Sequence, residues 1–234
     1  MKNRRVMLKL SGEALAGSGG RGYDEGLVRD VARQVKESVD AGVQVGIVTG
    51  GGNYWRGRTS EAIRRSKADQ IGMLATVMNG IYVSEIFRAE GMKTAILSPF
   101  LCGSMTELFS VDLAERCFAE KKVIFFVGGT GHPYFSTDTG IALRAVEVGA
   151  DRILLAKSID GVYTADPKLD PKATRYDTLT MQEMIDRKLA VIDLTASVLC
   201  MENKISLAIF DLNEKNSIRE ALRGHVNGTI VTAE

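Results

Sequence analysis

Short apolar runs alternate along the chain with longer segments in which apolar residues recur every three or four positions. Short runs rich in β-branched and aromatic side chains are typical of buried strands. The strongest is KKVIFFV at 121–127, which runs directly into glycine. The pattern predicts strands at 5–10, 43–48, 94–97, 121–127, 152–156, 206–210 and 229–231.

The intervening segments have the period of helices. The first follows Asp24, a residue type that caps helices, and is expected to end at Ala41-Gly42. Thr180 and Glu183 have the spacing of a capping box ahead of a short helix. Further helices are predicted at 66–90, 107–120, 138–148, 195–202 and 217–223, and a loop at 160–176.

Strands that alternate with helices predict an α/β fold with a largely parallel sheet covered on both faces. Ligands of such sheets bind beyond the carboxyl ends of the strands. Three of the predicted strands are followed directly by glycine-containing turns. Ser11-Gly12 follows the strand at 5–10, residues 49–52 follow the strand at 43–48, and residues 128–131 follow the strand at 121–127. We therefore expect three glycine turns on one edge of the sheet.

These turns predict a phosphate-binding site. Glycine has no Cβ, so backbone N–H groups can approach an anion closely, and Lys9 and Arg56 add positive charge. For any single turn, a purely structural role is the alternative. The chain contains neither GxxxxGK[ST] nor a GxGxxG after the first strand, which argues against Walker-type and dinucleotide sites.

Composition excludes several classes of protein. The 234 residues are 45% hydrophobic and 25% charged, and no linker divides them, so a single domain over 1–234 is expected. A net charge of +1 argues against a nucleic-acid or membrane-surface partner. Three separated cysteines, no signal peptide and no apolar stretch near ~20 residues favour a cytoplasmic protein without a cysteine metal cluster.

Motifs spread over nearly the whole chain resemble the bacterial uridylate (UMP) kinases, a branch of the amino-acid kinase family. GMLATVMNG and DGVYTADP, in this order, are the most specific to that branch. The motifs are KLSGEAL (9–15), GGGNYWRG (50–57), DQIGMLATVMNG (69–80), GGTGHPYFSTD (128–138), DGVYTADP (160–167) and VIDLTA (191–196).

The resemblance implies a three-layer αβα fold and the reaction ATP + UMP → ADP + UDP, with Mg²⁺ accompanying ATP. It also implies an acceptor-binding part at about 1–150 and an ATP-binding part at about 151–234. Positions that match ATP contacts are Lys9, Leu10, Ser11, Gly12, Gly52, Arg56, Lys157, Tyr163 and Asp166. Positions that match UMP contacts are Gly51, Asp69, Thr130, Gly131, His132, Pro133, Tyr134, Phe135, Ser136 and Thr137.

Catalytic roles are expected for Lys9, Arg56 and Asp193. Lys9 and Arg56 would supply charge along the line of transfer, and the resemblance places Asp193 where a carboxylate organises the transfer site. The alternative for Asp193 is an acid at a helix amino terminus. Lys157 departs from the family, which more often has threonine or asparagine at this position, so only a backbone contact would survive there.

The resemblance also implies regulation and assembly. The family forms homohexamers that GTP activates and UTP inhibits. The segment that matches its GTP-activation region is Gly17, Ser18, Gly19, Gly20, Arg21 and Gly22.

Two other functions stay open from the sequence. One is a kinase of the same fold with a carboxylate acceptor, such as acetylglutamate, aspartate or carbamate. The other is a non-catalytic storage or sensor protein that binds a nucleotide.

Overall fold

A computed structural model of the chain describes residues 4–55, 62–189 and 191–233. Within these residues a nine-stranded sheet runs through the centre of the molecule, and two further strands pair separately. The strands are β1 (Arg5–Leu10), β2 (Gln44–Thr49), β3 (Thr94–Ser98), β4 (Glu107–Leu108), β5 (Val123–Phe126), β6 (Arg152–Lys157), β7 (Val162–Tyr163), β8 (Arg175–Tyr176), β9 (Thr178–Thr180), β10 (Ser206–Asp211) and β11 (Gly228–Thr232).

The sheet is mainly parallel, as predicted. Its order is β4-β3-β5-β2-β1-β6-β10-β11-β9, and β11 pairs antiparallel with β10 at one side. Strands β5, β2, β1 and β6 lie side by side in parallel, so their carboxyl ends share one edge. The three glycine turns therefore meet at that edge, which confirms the expectation from the sequence.

Helices cover both faces of the sheet and give the three-layer α/β architecture. The helices are α1 (Gly12–Leu15), α2 (Glu25–Asp40), α3 (Arg65–Ala89), α4 (Val111–Ala119), α5 (Thr137–Glu147), α6 (Met181–Asp186), α7 (Leu194–Glu202) and α8 (Ser217–Arg223). Residues of α2, α3 and α8 share one core cluster with Val6, Leu8 and Leu10 of β1. Residues of α4, α5, α6 and α7 share the cluster on the other face with Met7.

Local capping fixes where several helices begin. Asp24 caps α2 by accepting a hydrogen bond from the backbone N–H of Leu27 at 3.0 Å. The predicted capping box of α6 is complete, with Thr180 and Glu183 each accepting from the other's backbone N–H. Each cap satisfies backbone donors that a helix amino terminus would otherwise leave unpaired.

Two predictions of secondary structure were wrong in part. The helix expected at 107–120 begins only at Val111, because Ser110 caps it and Glu107–Leu108 adds a strand beside β3. The segment expected to be loop at 160–176 contains β7 and β8, which pair antiparallel. The three-residue strand β9 was not predicted.

Among the described residues, none of the helices combines the length and apolar character that a membrane crossing requires.

Candidate active site

The turns after β1 and β2 contact each other backbone to backbone. The N–H of Gly50 donates to the carbonyl of Leu10 at 2.9 Å. A Cβ atom at Gly12 would lie 2.5 Å from the nitrogen of Gly52, and a Cβ at Gly50 would lie 3.0 Å from the nitrogen of Gly12. The neighbouring turn thus excludes a side chain at Gly12 and leaves little room for one at Gly50.

Gly51 is glycine because α3 passes directly behind it. A Cβ there would lie 2.9 Å from the carbonyl oxygen of Gly72 and 3.0 Å from Cβ of Ala75. The sequence-based explanation, in which glycine only opens a path for phosphate, is therefore incomplete at this position. In the third turn the reason differs again, since Gly128 and Gly131 have φ angles of +75° and +85°, which favour glycine.

Lys9 projects from β1 toward the amino end of α5. Its Nζ forms an ion pair with Asp138, and both side chains are largely buried, at 12% and 19% exposure. Asp138 was not among the site residues predicted from the sequence. The available signal was its position directly after the 130–137 segment, in the first turn of a predicted helix, where an acid is favoured by the helix dipole.

Lys157, the last residue of β6, lies close to this ion pair. Its Nζ donates to the carbonyl oxygen of Val191. Burial lowers the pKa of the Lys157 ammonium; the carboxylate of Asp138 opposes that shift, and the charge of Lys9 adds to it. The structure thus brings Lys9, Asp138 and Lys157 together at the carboxyl edge of the sheet.

Asp193 occupies the N-cap position of α7 and accepts from the N–H of Ala196 at 2.8 Å. The hydroxyls of Ser136 and Thr139 also donate to its carboxylate, that of Thr139 at 3.0 Å. Asp193 is therefore an acid at a helix amino terminus, which is the alternative that the sequence left open for it. It also ties the start of α7 to the start of α5, and its catalytic role stays a prediction.

A first cleft opens between α3 and the turn after β5. Asp69 borders it, and its Oδ2 accepts a hydrogen bond from the backbone N–H of Tyr134 at 2.8 Å. Nε of Arg65 donates to both carboxylate oxygens of Asp69, at 2.8 and 2.9 Å. Trp55 also borders it and donates from Nε1 to the carbonyl of Ala68 at 2.8 Å, as a packing residue would. The lining comprises Gly51, Trp55, Arg65, Ala68, Asp69, Gly72, Met73, Thr76, Gly129, Thr130, Phe135, Ser136 and Thr137.

The remaining residues of the 130–137 segment belong to the same loop but lie outside this lining. His132 is exposed, and its N–H donates to Oγ1 of Thr130 at 3.2 Å. Tyr134 is also exposed, with a φ of +73°. Gly131 and Pro133 complete the loop.

A second cleft of about 700 Å³ opens beside β6 and β7, within the size range of ligand pockets. Lys157, Tyr163 and Asp166 all line it, together with Ser158 and Ile159. The hydroxyl of Tyr163 donates to Asp160 at 2.8 Å, and this bond raises the pKa of the tyrosine. The second cleft thus begins at Lys157, beside the Lys9–Asp138 pair.

The other predicted site residues are placed as follows. Ser11 caps α1 by accepting from the N–H of Ala14 at 3.0 Å, and the side chain of Leu10 is fully buried. The 17–22 segment contains a 3₁₀ turn at Gly17–Gly19, and its Gly22 carbonyl accepts from the side chain of Asn53 at 2.9 Å. Arg56 lies outside the described residues.

Within residues 4–55, 62–189 and 191–233, no group of three or more His, Cys, Asp or Glu side chains is arranged to hold a metal ion. A kinase site usually holds Mg²⁺ through one or two carboxylates and the substrate phosphates. Asp138 and Asp193 are carboxylates of that kind, the first paired with Lys9 and the second capping α7.

Comparisons with known proteins identify the family and agree with the fold. The family model described as the amino acid kinase family matches residues 4–211. The uridylate kinase of Pediococcus pentosaceus is 44% identical over 100% of this chain and 98% of its own.

Solved structures are similar over almost their full length. The UMP kinase from Ureaplasma parvum superposes with a TM-score of 0.94 at 34% identity, covering 99% of this chain and 100% of its own. The UMP kinase from Bacillus anthracis gives a TM-score of 0.94 at 30% identity, covering 99% and 96%. Family model, relative and structures together place this chain in the amino acid kinase family.

Proposed function

We propose that this protein transfers the γ-phosphoryl group of ATP to UMP, forming ADP and UDP. The observation that carries the proposal is the end-to-end similarity to uridylate kinases. In this chain the second cleft reaches Lys157 beside the Lys9–Asp138 pair, and the first cleft includes Thr137, the residue before Asp138. ATP would occupy the second cleft and UMP the first. This division assigns the acceptor to the part of the chain before about 150 and ATP mainly to the part after it.

The chemistry needs positioning and charge more than covalent help from the protein, because the transferring phosphoryl group passes between two anions. Lys9 provides an ammonium at the carboxyl edge of the sheet, and the ion pair with Asp138 holds it there. Backbone N–H groups of Ser11, Gly12 and Gly52 would surround the phosphates. Arg56 is proposed to meet the transferring group.

On the acceptor side, we propose that Asp69 binds ribose hydroxyls. Each carboxylate oxygen can accept more than one hydrogen bond, so the contacts to Arg65 and Tyr134 leave capacity for a ligand. On the donor side, Tyr163 and Asp166 would contact the adenosine. Mg²⁺ would arrive with ATP and neutralise phosphate charge, with the carboxylates of Asp138 and Asp193 as candidate ligands.

We also propose that the protein assembles through an apolar face of α3. The outer face of α3 carries the exposed apolar residues Ile71, Leu74, Met78 and Ile81, at 39%, 53%, 49% and 37% exposure. A contiguous apolar stripe marks an interaction surface, so we propose a symmetric homo-oligomer, six-membered by the resemblance. Activation by GTP through 17–22, inhibition by UTP and a cytoplasmic location stay predictions.

A panel of acceptors tests the proposed function. Purified protein with MgATP is offered UMP, CMP, dUMP and acetylglutamate at equal concentration, and ADP release is followed by a coupled assay. UMP is expected to give the highest rate. Faster turnover of acetylglutamate would support the carboxylate kinase instead, and no turnover with tight ATP binding would support the storage or sensor protein.

A further inference from the structure

Thr76, on the inner face of α3, holds the turn that follows β5. Its side chain is 2% exposed. Oγ1 accepts a hydrogen bond from the backbone N–H of Gly128 at 2.8 Å and donates to the carbonyl of Met73 at 2.7 Å. The single hydroxyl proton and one lone pair are thus both used, which fixes the hydroxyl between the helix and the turn.

Asn79, one helical turn further on, holds the turn that follows β2. Its side chain is fully buried, and Nδ2 donates to the carbonyl of Gly50 at 2.5 Å and to Oδ1 of Asn53 at 2.8 Å. Asn53 returns a hydrogen bond to Oδ1 of Asn79 at 3.1 Å. Both N–H donors and the side-chain oxygen of the buried Asn79 amide therefore have partners, in the carbonyl of Gly50 and the side chain of Asn53.

The two residues are three positions apart, so they lie on the same side of α3. Two of the three glycine turns at the candidate site are therefore fastened to one face of one helix. The small residues Gly72 and Ala75 belong to the same face, because Gly51 approaches them to contact distance. The sequence GMLATVMNG at 72–80 thus combines small residues that admit the turns with polar residues that hold them.

We propose that Thr76 and Asn79 are positioning residues that set the spacing of the turns after β2 and β5, and so align the acceptor phosphate for transfer. The proposal rests on the proposed function, since it assigns the first cleft to the acceptor. Both turns contribute to the lining of that cleft, through Gly51 and through Gly129 and Thr130. A displacement of about 1 Å in such a site costs on the order of a hundredfold in rate, so the two hydrogen bonds matter beyond their own strength.

The test compares Thr76→Val, which keeps the shape of the side chain but removes the hydroxyl, with Thr76→Ser, which keeps the hydroxyl. Thr76→Val is expected to raise the KM for UMP about tenfold or more, with the KM for ATP changed less than about twofold. Thr76→Ser keeps the hydroxyl, so the KM for UMP and the KM for ATP are both expected to stay within about threefold of the wild-type values. Ser84→Ala is the control, since Ser84 is a buried hydroxyl on α3 that bonds to Thr94 at 2.8 Å.

Amide hydrogen exchange of 127–131 provides a readout that does not depend on turnover. Faster exchange at Gly128 is expected in Thr76→Val and not in Thr76→Ser or Ser84→Ala. Should Thr76→Val fail to fold, Thr76→Ala removes the same hydroxyl. An unchanged KM for UMP, or equal rises in both KM values, in a folded Thr76 variant overturns the proposal and leaves the proposed function intact.

If the wild-type protein does not turn over UMP, the proposed function fails. Amide hydrogen exchange at Gly128 then tests by itself whether Thr76 fixes the turn after β5. Protection of Gly128 lost in Thr76→Val and kept in Thr76→Ser supports that role. Protection kept in both overturns it.

Discussion

The ammonium of Lys9 on β1 pairs with the carboxylate of Asp138 at the amino end of α5, and the two residues are 129 positions apart in the chain. The pair joins the central strand of the sheet to a helix on one of its faces. Asp138 directly follows Thr137, which lines the first cleft, and the pair lies beside Lys157, which lines the second. Under the proposed function this is a fixed positive charge near the path of transfer. A charge held in advance of the reaction stabilises the transition state without reorganisation.

Replacing Lys9 with Met should lower kcat by about a hundred- to a thousandfold, as loss of one preorganised charge contact does. Asp138→Asn should also lower kcat, because Lys9 loses the carboxylate that holds it. Steady-state kinetics with UMP and ATP measure both effects. Lys36→Met is the control, since Lys36 forms an exposed ion pair with Asp40 on α2; near-normal kcat in Lys9→Met would contradict this role.

The close contact of the first two glycine turns predicts a loss of stability when Gly12 gains a side chain. In Gly12→Ala the Cβ would lie 2.5 Å from the nitrogen of Gly52, so one of the turns must move. We expect a cost of about 1–3 kcal/mol, or a fall in Tm of roughly 2–12 °C. Gly19→Ala is the matched control, because nothing lies within 4 Å of a Cβ at Gly19; equal Tm values for the two variants would count against the packing account.

Arg56 is expected to carry charge for the transferring group, on the basis of its place four residues after the triple glycine. Arg56→Ala should lower kcat by about a hundred- to a thousandfold while the KM for UMP changes much less. The measurement is kcat and KM over a range of UMP at saturating ATP. A variant with nearly normal kcat would make Arg56 a solvated surface residue and leave Lys9 as the main charge.

Cys117 and Cys200 should be unreactive in the folded protein. Burial raises the pKa of the Cys200 thiol to about 12, and the carboxylates of Asp193 and Asp138 add to the shift. Burial likewise raises the pKa of Cys117. A raised pKa leaves little thiolate at pH 8, so a disulfide reagent should label these thiols slowly in native protein and all three cysteines quickly in guanidinium. Rapid native labelling of Cys200 would contradict the buried position.

The sequence predicted elements well where the local pattern decides them. The bounds of β1 at Arg5–Leu10 were predicted to the residue, and α8 at Ser217–Arg223 lies where a helix was predicted, because apolar spacing and flanking residues define both. Glu107–Leu108 was misassigned because it becomes a strand only by pairing with Leu97 and Ser98, ten residues away. Short strands such as β7 depend on a partner in the same way.

The site was predicted in part for the same physical reason. Glycine turns at strand ends are visible in a sequence, so their meeting at one edge followed from the parallel sheet. Asp138 was missed because its partner is distant in the chain and only the fold brings them together. The reason for Gly51 was incomplete because the backbone of α3, rather than a ligand, excludes its side chain.

The measurement that tests the account most directly is ADP formation from MgATP by the purified protein, with and without UMP, followed by identification of the nucleotide product. The account predicts that UMP stimulates ADP release strongly, that UDP accumulates in equal amount, and that CMP is a much poorer acceptor. ADP release that does not depend on UMP, or CMP turnover as fast as UMP turnover, would contradict it.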